Sequence, residues 1–329
     1  MTETPHLLAP HVRTLARGPG RSRSLTRDEA REVMEVILSG RADPEAVGAI
    51  LMLLRMKGEV PDEIAGFAEA ARETLPQIAP PALDWPSYAA GRTRGLPFFL
   101  LAARLVAGAG HPVLIHGWNS AAHMAEAASV RDALPHAGIT AATSVPHAGE
   151  LLERQGIAYL PLEAFQPGLL ELLRLREKFN LRSCVNTVLR VLNPAKAPAS
   201  VQGVFHPPYR ELQADAGKLL GQSALSVIKG GGGEFERNPM KSIALYGLRN
   251  GEWHEGTAPA ILEETGKLNQ GWTDAALLSQ LWSGDWADPF AEAIVIGTAA
   301  LALDTLGVAA PETTARHLWE ARAGLKVSD

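Results

Sequence analysis

Apolar residues recur at helical spacing through the first quarter of the chain. Ala30, Val33, Met34, Ile37 and Leu38 fall at i, i+3, i+4, i+7 and i+8, the spacing of one helical face. Thr26-Arg27-Asp28-Glu29 ahead of them has the form of a capping box, so a helix starts there and Gly40 closes it. Asp43-Pro44 opens a second helix, in which Ala46, Val47, Ile50, Leu51, Leu53 and Leu54 are apolar nearly all round. Pro61 opens a third, with Ile64, Phe67, Ala68 and Ala71 on one face. Three short helices leave too much apolar surface to stand alone, so they are expected to pack on the rest of the chain or on a second copy.

Beyond residue 84 the pattern changes to short β-like runs alternating with helical ones. Strands are predicted at 113–116, 157–162, 200–205, 225–229 and 243–248, and helices at 96–107, 121–134, 149–155, 168–179 and 211–220. The alternation predicts an α/β fold with a mainly parallel sheet, behind a small all-helical N-terminal domain. The expected division is 1–80, joined by helices within 168–195, and 81–329. Pro76, Pro80, Pro81 and Pro86 mark residues 76–86 as the linker.

Composition narrows the class. With 329 residues, 46% hydrophobic, and a net charge of -5, the chain has the make-up of a globular protein of one large or two unequal domains. Cys184 is the only cysteine, so one chain makes no internal disulfide, which fits a cytoplasmic location, and Cys184 reads as a small buried residue. The N-terminus lacks a signal-peptide pattern, and the longest apolar run is broken by Arg104 and His111, so no membrane span is expected. Charge is uneven: Arg13, Arg17, Arg21, Arg23 and Arg27 occur with no acid between the first and last. Arg174, Arg176 and Lys178 add a second basic group on the 168–179 helix.

Candidate chemistry gathers at strand ends, where α/β sheets bind ligands. Lys229-Gly230-Gly231-Gly232-Gly233 joins a fixed cation to four glycines, a backbone free to approach a phosphate. Glu234 and Glu236 follow as candidate metal ligands, facing one way if the segment is extended. Two further strand ends, Gly91-Arg92-Thr93-Arg94 and His116-Gly117-Trp118-Asn119, offer guanidinium, imidazole and amide groups to an anion. The plain alternatives are an exposed loop for the arginines and a hydrogen-bonded core imidazole for His116. The other histidines show no metal-ligand spacing, and Trp272, Trp282 and Trp286 read as packing for the last helices.

The residues also carry a resemblance. Leu38-Ser39-Gly40, Leu54-Arg55-Met56-Lys57-Gly58-Glu59 and Pro61-Asp62-Glu63-Ile64-Ala65-Gly66-Phe67 resemble the helical domain of the anthranilate phosphoribosyltransferase-like glycosyltransferases (glycosyl transferase family 3). His116-Gly117-Trp118-Asn119 is similar to that family's Lys-His-Gly-Asn segment. The stretch Leu181-Arg182-Ser183-Cys184-Val185-Asn186 to Asn193-Pro194 resembles its arginine-containing substrate helix. The resemblance implies an active site in the cleft between the domains, a homodimer formed through the helical domain, and Arg182 as an acceptor-binding residue, though Glu177 could simply pair with it.

Departures from the family pattern fall at the donor site. Ala89-Ala90-Gly91-Arg92-Thr93-Arg94 stands where the family has Gly-Thr-Gly-Gly-Asp, and Glu234 and Glu236, split by Phe235, stand where it has an adjacent Asp-Glu pair for magnesium. These departures resemble the YbiB-type branch and imply a dimer that binds nucleic acid without sequence preference and does not work as an anthranilate phosphoribosyltransferase. Arg13 to Arg27, with Arg174, Arg176 and Lys178, would be its contact surface. The alternative is a glycosyl or phosphoribosyl transferase that uses a phosphorylated sugar donor with Mg2+ and an unidentified acceptor. That reading needs only positioning and charge.

Overall fold

The computed structural model describes residues 6–18, 20–88, 95–118, 129–263 and 271–325. A helical part comes first: α1 (Ala9–Ala16), α2 (Arg27–Leu38), α3 (Pro44–Lys57) and α4 (Pro61–Glu73). The capping box forms as the sequence predicts: the Glu29 amide donates to Thr26 Oγ1, and the Thr26 amide donates to the Glu29 carboxylate. Helices α2 and α4 cross at Gly66, where an added Cβ would lie 2.2 Å from the Arg27 carbonyl oxygen. Glu63 locks the start of α4 from a fully buried position, accepting from the amides of Leu25 and Val60 and pairing with Lys57 at 2.9 Å. Its donors neutralise a carboxylate that would otherwise be costly to bury.

The sheet follows, built from β1 (Leu83–Ser87), β2 (Val113–Gly117), β3 (Ile157–Pro161), β4 (Ala199–Val204), β5 (Ala224–Lys229), β6 (Ile243–Arg249) and β7 (Glu252–Ala258). Its order is β3-β2-β1-β4-β5-β6-β7, parallel from β3 to β5 and antiparallel from β5 to β7. Between strands lie α5 (Phe99–Gly108), α6 (Val130–Ala133), α7 (Val145–Gln155), α8 (Leu162–Phe165), α9 (Pro167–Phe179), α10 (Val185–Val191) and α11 (Tyr209–Leu219). The chain ends with α12 (Ala276–Ser283), α13 (Pro289–Thr305) and α14 (Pro311–Glu320).

Two cores sandwich the sheet, as alternation along a doubly buried strand requires. Val113, Ile115, Ile157 and Tyr159 face α5, α12 and α13. Leu114, Ala158 and Leu160 face the side held by α7 to α10 and the helical part. Trp85 packs on Phe99 at 6.1 Å and edge-on to Phe235 at 5.5 Å, and burying an aromatic of this size stabilises the fold by about 2–3 kcal/mol. No helix among the described residues is long and apolar enough to cross a membrane.

Three expectations change. Residues 83–87 are not linker but the central strand β1. Its ladder to β4 stops at Asp84, so the missing amide of Pro86 breaks no bond on that edge. Strand β7 and helix α1 are additions that the sequence pattern does not predict. Of the helix expected over 121–134, residues 121–128 lie outside the described residues and α6 holds one turn of the remainder.

Candidate functional site

Strands β1, β2 and β3 run outward in one direction from the middle of the sheet, and β4 and β5 in the other. The order therefore reverses between β1 and β4, the place where open α/β sheets form a crevice beyond their carboxyl ends. A cleft of about 450 Å3 lies there, between the helical part and the sheet. Val204 and Phe205 at the end of β4, and His206 and Tyr209 leading into α11, form one wall. Arg55 from α3, Arg176 from α9, and Arg182 and Arg190 at either end of the α10 region form the other. No aspartate or glutamate lines it among the described residues.

Arginine dominates the electrostatics. Burial lowers the Arg182 pKa, and the neighbouring charges of Arg176 and Arg55 lower it further. Burial also brings Arg190 down to about 10, opposed by Glu234, so it stays charged at neutral pH. The Arg190 Nη1 donates to the Asn186 carbonyl and Nη2 to the Tyr88 carbonyl at 3.4 Å. Arg55 Nη1 donates to the Arg182 carbonyl at 2.8 Å, tying α3 to the loop before α10. Guanidinium groups so arranged match phosphate or carboxylate oxygens. Half-exposed Phe205 and Leu181 give the same cleft an apolar side.

Several residues singled out in the sequence take other roles. His116 is fully buried: its Nε2 lies 3.0 Å from Asp84 Oδ1, and Nδ1 lies 2.8 Å from the Tyr88 hydroxyl. The Nε2–Asp84 contact is close but lacks hydrogen-bond alignment, so the Tyr88 hydroxyl is the ring's one hydrogen-bond partner among the described residues. Asp84 Oδ2 accepts from Ser200 Oγ at 2.7 Å, so a polar chain crosses β2, β1 and β4. Fully buried and hydrogen-bonded to Tyr88, His116 fits the core-imidazole alternative better than an anion ligand. A Cβ on Gly117 would lie 2.3 Å from the Ser87 carbonyl oxygen, so that glycine lets β1 and β2 approach.

The glycine run folds on itself. The amide of Gly230 donates to Val204, that of Gly231 to Glu236 and that of Gly233 to Gly230. Gly232 and Gly233 take φ values of 63° and 91°, and a Cβ on Gly230 would lie 1.7 Å from the Glu234 carbonyl oxygen. These glycines thus serve a tight turn, with the amides of Gly230, Gly231 and Gly233 already spent, and do not form the open cradle expected. Lys229 stands exposed at the end of β5.

The described residues offer magnesium no closed set of protein ligands. Glu234 Oε1 accepts from Ser87 Oγ at 3.0 Å and Glu236 Oε2 accepts from the Phe99 amide at 3.0 Å, both carboxylates being fully buried. No group of three metal-ligating side chains occurs among the described residues, so a magnesium ion here would have to complete its octahedron with water and ligand phosphates. Gly91, Arg92, Thr93, Arg94 and Asn119 lie outside the described residues.

The basic surface is smaller than the sequence suggests. Arg23 pairs with Glu29 at 2.6 Å, and Arg27 pairs with Glu69 while donating to the Leu219 carbonyl. Arg174 lies 3.7 Å from Glu177, and Arg176 turns into the cleft. Arg13, Arg17, Arg21 and Lys178 are exposed. Arg190 escapes a reading of the sequence because α10, Val-Asn-Thr-Val-Leu-Arg-Val, mixes polar and apolar residues, yet every one of them is buried, and a buried charged residue is itself the signal.

Comparison with known proteins places this geometry. Residues 10–75 match the helical bundle domain of the glycosyl transferase family, and residues 99–260 match its a/b domain. Anthranilate phosphoribosyltransferase of Thermus thermophilus is 30% identical over 284 residues, covering 84% of each chain. That of Halobacterium salinarum is 32% identical over 226 residues, 68% of this chain and 64% of that one. Among solved structures, the Thermus thermophilus enzyme superposes with a TM-score of 0.80 at 24% identity, covering 98% of this chain and 96% of that one. The Saccharomyces cerevisiae enzyme in complex with PRPP and Mg gives 0.78 at 15% identity, covering 97% and 94%. The chain belongs to the glycosyl transferase family that joins a helical bundle domain to an a/b domain.

Proposed function

We propose that this protein is a glycosyltransferase of phosphoribosyl type that binds a phosphorylated sugar donor in the interdomain cleft and transfers the sugar to an anionic acceptor. The observation that carries the reading is the cleft at the switch point, walled by Arg55, Arg176, Arg182 and Arg190 with no acid among the described residues of its lining. Family membership supports a transferase over a non-catalytic role, because the relatives at 30% identity are named as enzymes. In the transfer, the sugar C1–oxygen bond to the diphosphate breaks and a bond from C1 to the acceptor forms, the electron pair leaving with the diphosphate. The chain's part is to hold the two reactants in line and to stabilise the charge on the leaving group. Buried Arg190 in the lining serves the diphosphate, with Lys229 paired in the sheet to Val204 beside the cleft, and Arg182 serves the acceptor anion.

The test is pyrophosphate release from phosphoribosyl pyrophosphate in the presence of anthranilate and other aromatic or heteroaromatic acids. Turnover with one acceptor is expected, and Arg182→Gln should raise its KM about tenfold, the worth of one charged hydrogen bond. A protein that binds neither donor nor pyrophosphate at millimolar concentration would end this reading.

Exposed Arg13, Arg17 and Arg21 favour a second reading, nucleic-acid binding by a dimer, as the YbiB-type likeness implies. The dimer would use the outer side of α3, where Met52 and Leu53 are half-buried and Met56 is 85% exposed. Replacing the three arginines by alanine should weaken binding of single-stranded DNA and flatten its salt dependence. Unchanged binding removes the patch from consideration, and sedimentation of a Met56→Glu variant checks the dimer.

A further inference from the structure

We propose that the cleft takes a small molecule bearing a diphosphate without a divalent ion, Arg190 and its neighbouring arginines supplying the counter-charge that a metal would otherwise bring. This deepens the transferase reading and rests on it. Arg190 is 8% exposed, and its guanidinium donates to two main-chain carbonyls, with no carboxylate in ion-pair contact among the described residues. Glu234 opposes the effect of burial on Arg190 without touching it, and a guanidinium whose direct partners are carbonyls still gains from an anion in contact. It lines the cleft, so the place where that anion would sit is open. Arg55, Arg176 and Arg182 line the same space, and the repulsion that Arg55 and Arg176 exert on Arg182 shows that their charges add there.

One oxygen of each carboxylate that would be asked to hold a metal is engaged by the fold, while Glu234 Oε2 accepts no hydrogen bond among the described residues. Glu234 receives the Ser87 hydroxyl and Glu236 holds the Phe99 amide at the start of α5. A divalent ion entering beside four guanidinium groups would raise an already positive potential, so it should compete for the ligand in solution and not assist it. The occupant is a small molecule, because buried Arg190 lines a cavity of about 450 Å3, a volume in the range of small-ligand sites. A polymer's phosphates would be held at the rim.

Calorimetric titration with inorganic pyrophosphate and with phosphoribosyl pyrophosphate, each in EDTA and in magnesium, tests this on the full chain. Binding in EDTA that magnesium leaves equal or weaker is expected, and Arg190→Gln should weaken it about tenfold or more. Arg55→Gln, a change at the exposed rim that should fold normally, is expected to weaken it severalfold. Binding that occurs only with magnesium overturns the inference while leaving the transferase reading standing. No binding of either compound under either condition overturns both. Unchanged affinity in both variants overturns the inference too, as does displacement of pyrophosphate by single-stranded DNA in proportion to sites filled, which makes nucleic acid the occupant.

Discussion

Glu29 performs two tasks with one carboxylate: it closes the capping box of α2 and accepts both Nη groups of Arg23. The Arg23 hydrogen bonds bring the Glu29 pKa down from 4.5 to about 2. A depressed carboxylate contributes stability that is present above its ordinary pKa and lost as pH falls through the folded value. Glu29→Gln keeps a side chain that can cap but removes the charge, so its Tm should be lower than the parent's at neutral pH. The gap should close between pH 4.5 and about 2, and a gap that persists at the acid end would show that the charge is not its source. The residue scale is also where the sequence misleads most. The pattern Lys229 to Gly233 reads as a cradle, but the same freedom of φ serves a turn that spends its own amides, and only the hydrogen-bond partners distinguish the two uses. His116 likewise has one sequence signature for two fates, decided by Asp84 and Tyr88 on and beyond the neighbouring strand.

At the scale of elements, helical period and caps are sufficient to locate α2, α3 and α4, because each has its boundary chemistry next to it: Thr26, Asp43-Pro44 and Pro61. Strands buried on both faces are legible as apolar runs. The two unpredicted strands fail for opposite reasons. β1 holds a proline that its neighbours happen to tolerate, and β7, Glu-Trp-His-Glu-Gly-Thr-Ala, is a polar edge strand with little apolar signal. The turn before β7 is readable, since Asn250-Gly251 with φ of 53° and 76° is the pair that tight hairpins prefer. Gly66, by contrast, gives no hint of its purpose until α2 is laid across α4. Alanine there gains about 1 kcal/mol of helix propensity, yet its Cβ would meet the Arg27 carbonyl oxygen at 2.2 Å and Ala30 Cβ at 2.9 Å. Overpacking against backbone costs about 1–3 kcal/mol, so Gly66→Ala should lower the urea midpoint. A raised midpoint would mean that the crossing opens without loss.

For the whole molecule, the two-part plan is legible from the change of period near residue 84 and the cleft only from the family resemblance, whereas the wiring between the parts is in neither. The Arg72 Nε donates to the Leu192 carbonyl and Nη2 to that of Val191, and burial lowers the Arg72 pKa. It fastens α4 to the end of α10, a contact between residues about 120 positions apart in sequence, for which periodicity has no signal. Arg72→Leu should cost about 2 kcal/mol by stranding both carbonyls. Calorimetry should then resolve an earlier transition for the helical part, and an unchanged single endotherm would show that packing alone couples the two halves.

Tyr209, on the sheet side of the cleft, donates its hydroxyl to Glu59 of the α3–α4 loop at 3.1 Å. A carboxylate therefore stands one hydrogen bond away from a cleft whose described lining holds no acid. The hydrogen bond joins the α3–α4 loop to a residue of the cleft wall, so it fixes how far apart the helical part and the sheet stand at that point.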